Sequence, residues 1–255
     1  MARAPGAGGA TGIMLRGDII MELAQLESAL HETLELSRRP IAVNFFDAPP
    51  SGVEKFIGSE PSGCSYWRLA GNGKRFYTVP SDHYNCPIGS HTHSIALPPE
   101  RQKELSETLS FMSSIGYVRM EEVGKIPTLP KQPNVIAYAP LGEAPADPDV
   151  VILVGKPGKI MLLLEAAGRA GVMTHPPTLG RPTCMSIPAA MQVGAVGSTG
   201  CIGNRVYTEV SDDDLYIVIR GSDLVKIAAE LGTIINANSA LREYHRTRKN
   251  ALRKE

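Results

Sequence analysis

Prolines and glycines punctuate this chain at short intervals, and the stretches between them bound every regular element it can form. Twenty prolines and 25 glycines stand in 255 residues, against roughly 12% for the two together in ordinary usage, so much of the backbone is expected in turns and shaped loops. Between the breaks, an amphipathic stretch over 18–38 places Ile19, Ile20, Leu23, Leu26, Leu30 and Leu34 at mostly three- and four-residue spacing. That spacing predicts a helix, capped by Asp18 and stopped by Pro40. Ile41–Phe46 then reads as a strand, 66–70 as a short helix, 75–79 as a brief strand and 80–98 as irregular. The segment 99–115 has proline at its start and Gly116 just past its end, which predicts a second helix.

The second half restarts with strands over 134–138 and 149–154, followed by a helix over 156–171. A proline-rich loop, a mixed segment to Cys201, a strand over 215–219 and helices over 224–231 and 235–252 complete it. Strands and helices intersperse without a regular βαβ period, which predicts an α+β fold rather than a doubly wound parallel sheet. Residues 1–17 read as a flexible tail and 18–255 as one globular domain. Each half presents a strand and then two cysteines in similar loops: Cys64 and Cys86 in GCSYW and NCPIG, Cys184 and Cys201 in TCMS and GCIGN. This predicts two related lobes, over about 18–130 and 131–255, with mixed sheets, long loops and an internal duplication.

Lys+Arg and Asp+Glu number 26 each, so bulk phosphate attraction is excluded as a route to nucleic acid. No apolar run reaches the ~18 residues of a membrane span. The first 17 residues lack the apolar stretch of a secretory signal. The expectation is a cytoplasmic protein with no membrane or nucleic-acid partner. The basic run Arg242, Arg246, Arg248 and Lys249 suits the negative end of a helix dipole.

In a reducing compartment, cysteines are more often buried, catalytic or metal-binding than paired as disulfides. Glycines beside Cys64 and Cys201 let backbone N–H groups approach a thiolate, and a proline after a ligand cysteine, as at Cys86-Pro87, occurs in cluster motifs. Four thiolates can close round one iron–sulfur cluster or one tetrahedral zinc. The chain has no C-x-x-C knuckle, so four ordinary buried cysteines are the plain alternative. His83, His91 and His93 lie close to Cys86 and allow a mixed Cys/His site, and His91, His93 or His175 can serve as a haem axial ligand. A Cys86–His83 nucleophilic pair lacks any hydrolase signature. Arg181 and Arg205, in glycine- and proline-rich loops, are candidates to hold a small anion. The segment GKPGK at 155–159 lacks the phosphate-loop order.

The stretches RPIAVNFFDAPPSGVEK, GCSYWRLAGNGKRFYTVPSDHYNCPIG, DPDVVILVGKPGKIMLLLEAAGRAG and PTCMSIPAAMQVGAVGSTGCIGNR resemble the uncharacterised archaeal conserved region family, domain of unknown function 169. The resemblance covers roughly 40–235. It implies a cysteine at each of the places held by Cys64, Cys86, Cys184 and Cys201 and an arginine at Arg205, with no established activity. His91 and His93 depart from the small and apolar residues expected after NCPIG.

The leading expectation is therefore an iron–sulfur protein in which Cys64, Cys86, Cys184 and Cys201 bind the cluster, used in electron transfer or in redox or lyase chemistry on a small anionic substrate. Tyr66, His83 and His91 are the acid/base candidates, and Arg181 and Arg205 the anion contacts. The competing expectations are a non-catalytic small-molecule or haem-binding module with structural or zinc-binding cysteines, and a thiol-redox protein cycling Cys64–Cys86 and Cys184–Cys201 disulfides. Edge strands offer a route to a homo-oligomer.

Overall fold

The structure, a computed structural model, describes residues 12–14, 20–172 and 181–252. Strands β1 (Gly12–Met14) and β2 (Ile20–Glu22) pair antiparallel, and helix α1 (Leu23–Leu34) follows. Next come β3 (Ile41–Phe46), α2 (Gly63–Gly71), β4 (Phe76–Thr78) and α3 (Pro87–Thr92). Helices α4 (Pro99–Ser114) and α5 (Met120–Val123) lead to β5 (Val135–Pro140) and β6 (Val150–Gly155). The chain continues through α6 (Pro157–Arg169), α7 (Ser186–Val193), β7 (Ala195–Ser198), α8 (Ile202–Thr208), β8 (Leu215–Arg220) and α9 (Gly221–Leu252).

The α+β expectation holds. Six strands form one sheet in the order β4-β5-β3-β6-β8-β7, and every pairing is antiparallel rather than mixed. The order reads alike from both edges. Strands β3, β4 and β5 lie as β4-β5-β3, and β6, β7 and β8 mirror them as β7-β8-β6. The two triplets join where Ile41, Ala42 and Val43 face Ile152, Val151 and Val150. The break between them falls after Pro140, beyond the boundary expected near 130, because β5 pairs with both β3 and β4. This is a correspondence of topology; a duplication of sequence is not shown by it.

An antiparallel sheet commonly leaves one face to water, but this one is covered on both. All six residues of β6 are buried. Val151 and Leu153 pack with Leu26, Leu30, Ile160, Leu163, Leu224 and Ile227, from α1, α6 and α9. Val150, Ile152 and Val154 point the other way, into a cluster with Cys64, Tyr66, Trp67, Cys184 and Ile187. The period-two alternation of a strand thus assigns its residues to two cores, and the cysteine-bearing segments share the second.

Several element boundaries differ from expectation for local reasons. Helix α1 begins after β2, with Glu22 extended as its cap, and ends where Glu35 turns left-handed at φ 49°. The expected cap Asp18 lies outside the described residues. The two carboxy-terminal helices are one 32-residue helix, α9. The stretch read as irregular contains a 3₁₀ turn, Pro80–His83, and α3, and the mixed segment before Cys201 contains α7 and β7. Among the described residues no helix is long and apolar enough to cross a membrane.

Candidate functional site

The four cysteines start helical segments. Cys64 lies in the first turn of α2, where its N–H donates to the Oγ of the N-cap Ser62 at 3.3 Å. Cys86 is the N-cap of α3, with Pro87 at the first helical position. Cys184 sits in a 3₁₀ turn, Thr183–Met185, that runs into α7, and Cys201 is the N-cap of α8. Each strand triplet contributes two, tied by a hydroxyl. Ser62 Oγ lies 3.6 Å from Cys86 Sγ, and Thr183 Oγ1 accepts from the Cys201 N–H.

All four are free thiols; Cys64 and Cys184 are buried and Cys86 and Cys201 half-buried. Cys64 and Cys184 share one core cluster. Burial pushes Cys64 up to about 12, with Cys86 and Cys201 adding to it. Cys184 is raised well above the ordinary thiol range by burial and then by Cys64 and Cys86, with Cys201 adding less. Without a guest the buried thiols hold their protons. Among the described residues, no three His, Cys, Asp or Glu side chains stand close enough together to hold a metal ion as they are.

Aromatic rings wall the site. Tyr66 stacks on Tyr138 at 5.6 Å between centroids, and Trp67 meets Tyr216 edge-on at 5.9 Å. Burial raises Tyr138 well above the phenol range, with Tyr66, Cys64, Cys86 and Cys184 adding to it. Burial likewise lifts Tyr216 to about 12, partly offset by the Thr208 hydroxyl. Tyr138 is on β5 and Tyr216 on β8, which are matching strands of the two triplets. A methyl at Gly89 would sit 2.8 Å from Cys86 Sγ, so only glycine leaves that sulfur its place.

The segments carrying the cysteines also carry buried polar atoms without hydrogen bonds: Ser65 Oγ and Arg68 Nε on α2, His93 Nε2 at the end of α3, and both amide atoms of Asn204 on α8. Native proteins leave few such atoms, and each calls for a partner. Five of the seven in the described residues lie on these three segments.

The other predicted residues fall as follows. Tyr66 is buried and donates its hydroxyl proton to Asp82 O at 2.8 Å; burial, then Asp82, raises its pKa. His83 is buried against Tyr66 and Thr78. His91 is half-buried on α3. His93, in the stretch read as irregular, is a buried helix cap. Its Nδ1 donates to Gly89 O at 2.9 Å, which leaves Nε2 a bare lone pair. Arg205 donates to the carbonyls of Thr199, Ser211 and Asp214 and pairs with Asp212, clamping the loop that follows α8. Arg181 is exposed, 4.4 Å over the Tyr117 ring. His175 lies outside the described residues. Ser62, Thr183, Asn204, Tyr138 and Tyr216 carried no signal that sequence reasoning used, although Asn204 closes the GCIGN motif and Ser62 has the residue type of an N-cap.

A family model matches residues 29–230, that of the uncharacterised ArCR family, DUF169. The chain belongs to this family. The match spans all six strands of the sheet and all four cysteines. No curated protein and no solved structure is similar enough to match the chain.

Proposed function

We propose that this ArCR family protein holds an iron–sulfur cluster on Cys64, Cys86, Cys184 and Cys201 and serves one-electron transfer. What supports this reading is that each strand triplet contributes two free thiols at the starts of helical segments, and that one from each triplet, Cys64 and Cys184, shares a core cluster. The donor set fits: four thiolates are the complement of a [2Fe–2S] or [4Fe–4S] centre. So do the unpaired polar atoms around it, which suit a polar guest. When bound, such a centre supplies storage for a single electron. With four cysteines engaged, no coordination position is left for a substrate, which favours electron transfer over lyase chemistry. Arg205 spends its hydrogen bonds inside its own loop, which gives no support to an anionic substrate.

The chain's own residues divide the work. The buried Cys64 and Cys184 and the half-buried Cys86 and Cys201 would be the four ligands. A cluster held there would exchange single electrons with one-electron carriers, such as reduced flavins or other iron–sulfur proteins, with no bond made or broken. Tyr138, Tyr216 and Trp67 keep water from the buried side. Loading displaces the protons that the raised thiols hold, so retention weakens as pH falls.

The test is an optical spectrum of oxygen-free protein with iron, sulfide and zinc quantified on the same sample. Broad visible absorption with matching iron and sulfide is expected, and loss of both in each single cysteine-to-serine variant. A Soret band would transfer the reading to haem and His93. Zinc alone would make the site structural. Full iron retention in all four variants, or colourless metal-free protein, would overturn the proposal.

A further inference from the structure

We propose that the carboxy-terminal half of α9 docks on α8 of a second copy of this chain, reciprocally, in a symmetric dimer. The assembly is independent of what the four thiols hold.

Helix α9 outruns the fold. Its 32 residues span about 48 Å, and only the first part is packed, with Leu224, Ile227 and Leu231 buried on the α6 side of the sheet. Every residue from Ser239 to Ala251 is exposed. That half lies past residue 230, where the family match ends. A helical stretch of this length without tertiary packing is marginal in water. This one shows Leu241 and Tyr244, one turn apart, at 55% and 58% exposure. Arg242, Arg246 and Lys249 recur at four- and three-residue spacing and form a basic stripe beside that pair.

Helix α8 presents the complement. Ile202 and Val206, neighbours at i and i+4, are 64% and 63% exposed, and Tyr207 beside them is exposed too. Glu209, Asp212 and Asp213 follow them, all exposed. Arg68 meets Glu209 and Arg205 meets Asp212, yet residues 200–214 carry four acidic residues against one arginine. Residues 241–252 carry four basic residues against one glutamate. In chain order both surfaces run from apolar to charged. Laid side by side in one direction, they match apolar to apolar and base to acid. The chain's own tail leaves α8 uncovered, since α8 packs on α2 at the cysteine face and α9 on α6 at the other. A formal net charge of zero means that two copies do not repel as wholes, and a two-fold axis lets each copy give a tail and receive one.

The experiment is light scattering on the full-length protein over a dilution series at low and high salt. Wild type is expected to be a dimer at low salt that dissociates on dilution, and more readily at high salt. Tyr244→Glu and Val206→Glu each place a charge in the apolar contact and should give monomer where wild type is dimeric, with unchanged circular dichroism because both side chains are exposed. Arg246→Glu and Asp213→Arg should each weaken the dimer roughly tenfold, and the double variant, which restores opposite charges, should recover most of that loss. A double variant as weak as the singles would overturn the pairing of these two faces. So would a dimer that only the α9 variants dissociate, which would mean that tails pair with tails. Wild type that stays monomeric throughout would overturn the proposal, and its sedimentation with vesicles of anionic phospholipid would assign the tail to a lipid surface instead.

Discussion

His83 has one proton to place and two neighbours that settle where it goes. Thr78 Oγ1 lies 2.8 Å from His83 Nε2 and 3.2 Å from Ile136 O. A carbonyl only accepts, so the hydroxyl proton belongs to Ile136 O and the imidazole donates from Nε2 to the threonine. Burial first, and His93 second, lower the His83 pKa to about 3, and burial lowers His93 as well. The unfolded chain takes up these protons near pH 6.5 while the folded chain refuses them, so the stability they contribute is complete above pH 6.5. It is lost progressively as pH falls toward 3. For His83 alone the loss is of the order of 5 kcal/mol at the acid end. Denaturant titrations at stepped pH should show that decline, and His83→Gln, which can still donate to Thr78, should flatten it. An equal acid slope in wild type and variant would contradict the assignment. The same burial makes His83 a poor acid at neutral pH: its ring serves Thr78 and the aromatic wall.

Among the elements, the cysteine-bearing helices are short and their positions depend on single contacts. Gly89 lies one turn into α3 and is buried. Gly89→Ala should push the Cys86 sulfur aside at a cost of about 1–3 kcal/mol, lowering cofactor retention more than thermal stability, as iron content and melting temperature measured together would show. Gly221 joins β8 to α9, and its N–H donates to Asp149 O at 2.8 Å. A methyl there would fall 1.7 Å from Pro148 O, a backbone atom with nowhere to go. Gly221→Ala is expected to destabilise by about 3 kcal/mol or more, read as a drop in denaturation midpoint. The central strands were legible as apolar runs, because strands buried on both faces need apolar residues at every position. Helix α3, α7 and β7 were not. They are four to eight residues long, α3 and α7 contain proline, and β7 is too short for a pattern to declare its period.

At the scale of the whole molecule, stability is distributed unevenly. The sheet is packed between α1, α6 and α9 on one side and the cysteine-bearing segments on the other. Helix α4 buries none of its residues, and Phe111 is 62% exposed. Hydrogen exchange should therefore run orders of magnitude faster in α4 than in β3, β6 and β8. Equal protection would mean that α4 is covered in solution by something outside this chain. Sequence alone determined the α+β class, the principal strands and helices and the four cysteines as the residues to watch, since apolar runs, breaks and thiols are local properties. Only the tertiary structure decided that the strands close into one sheet of two mirrored triplets and that Cys64 and Cys184, one from each, share a core cluster. It alone brought Ser62, Thr183, Tyr138, Tyr216 and Asn204 to them. Strand order and cross-sheet packing are set by contacts between residues tens of positions apart, more than a hundred for the β3–β6 join, and no short window of sequence contains them.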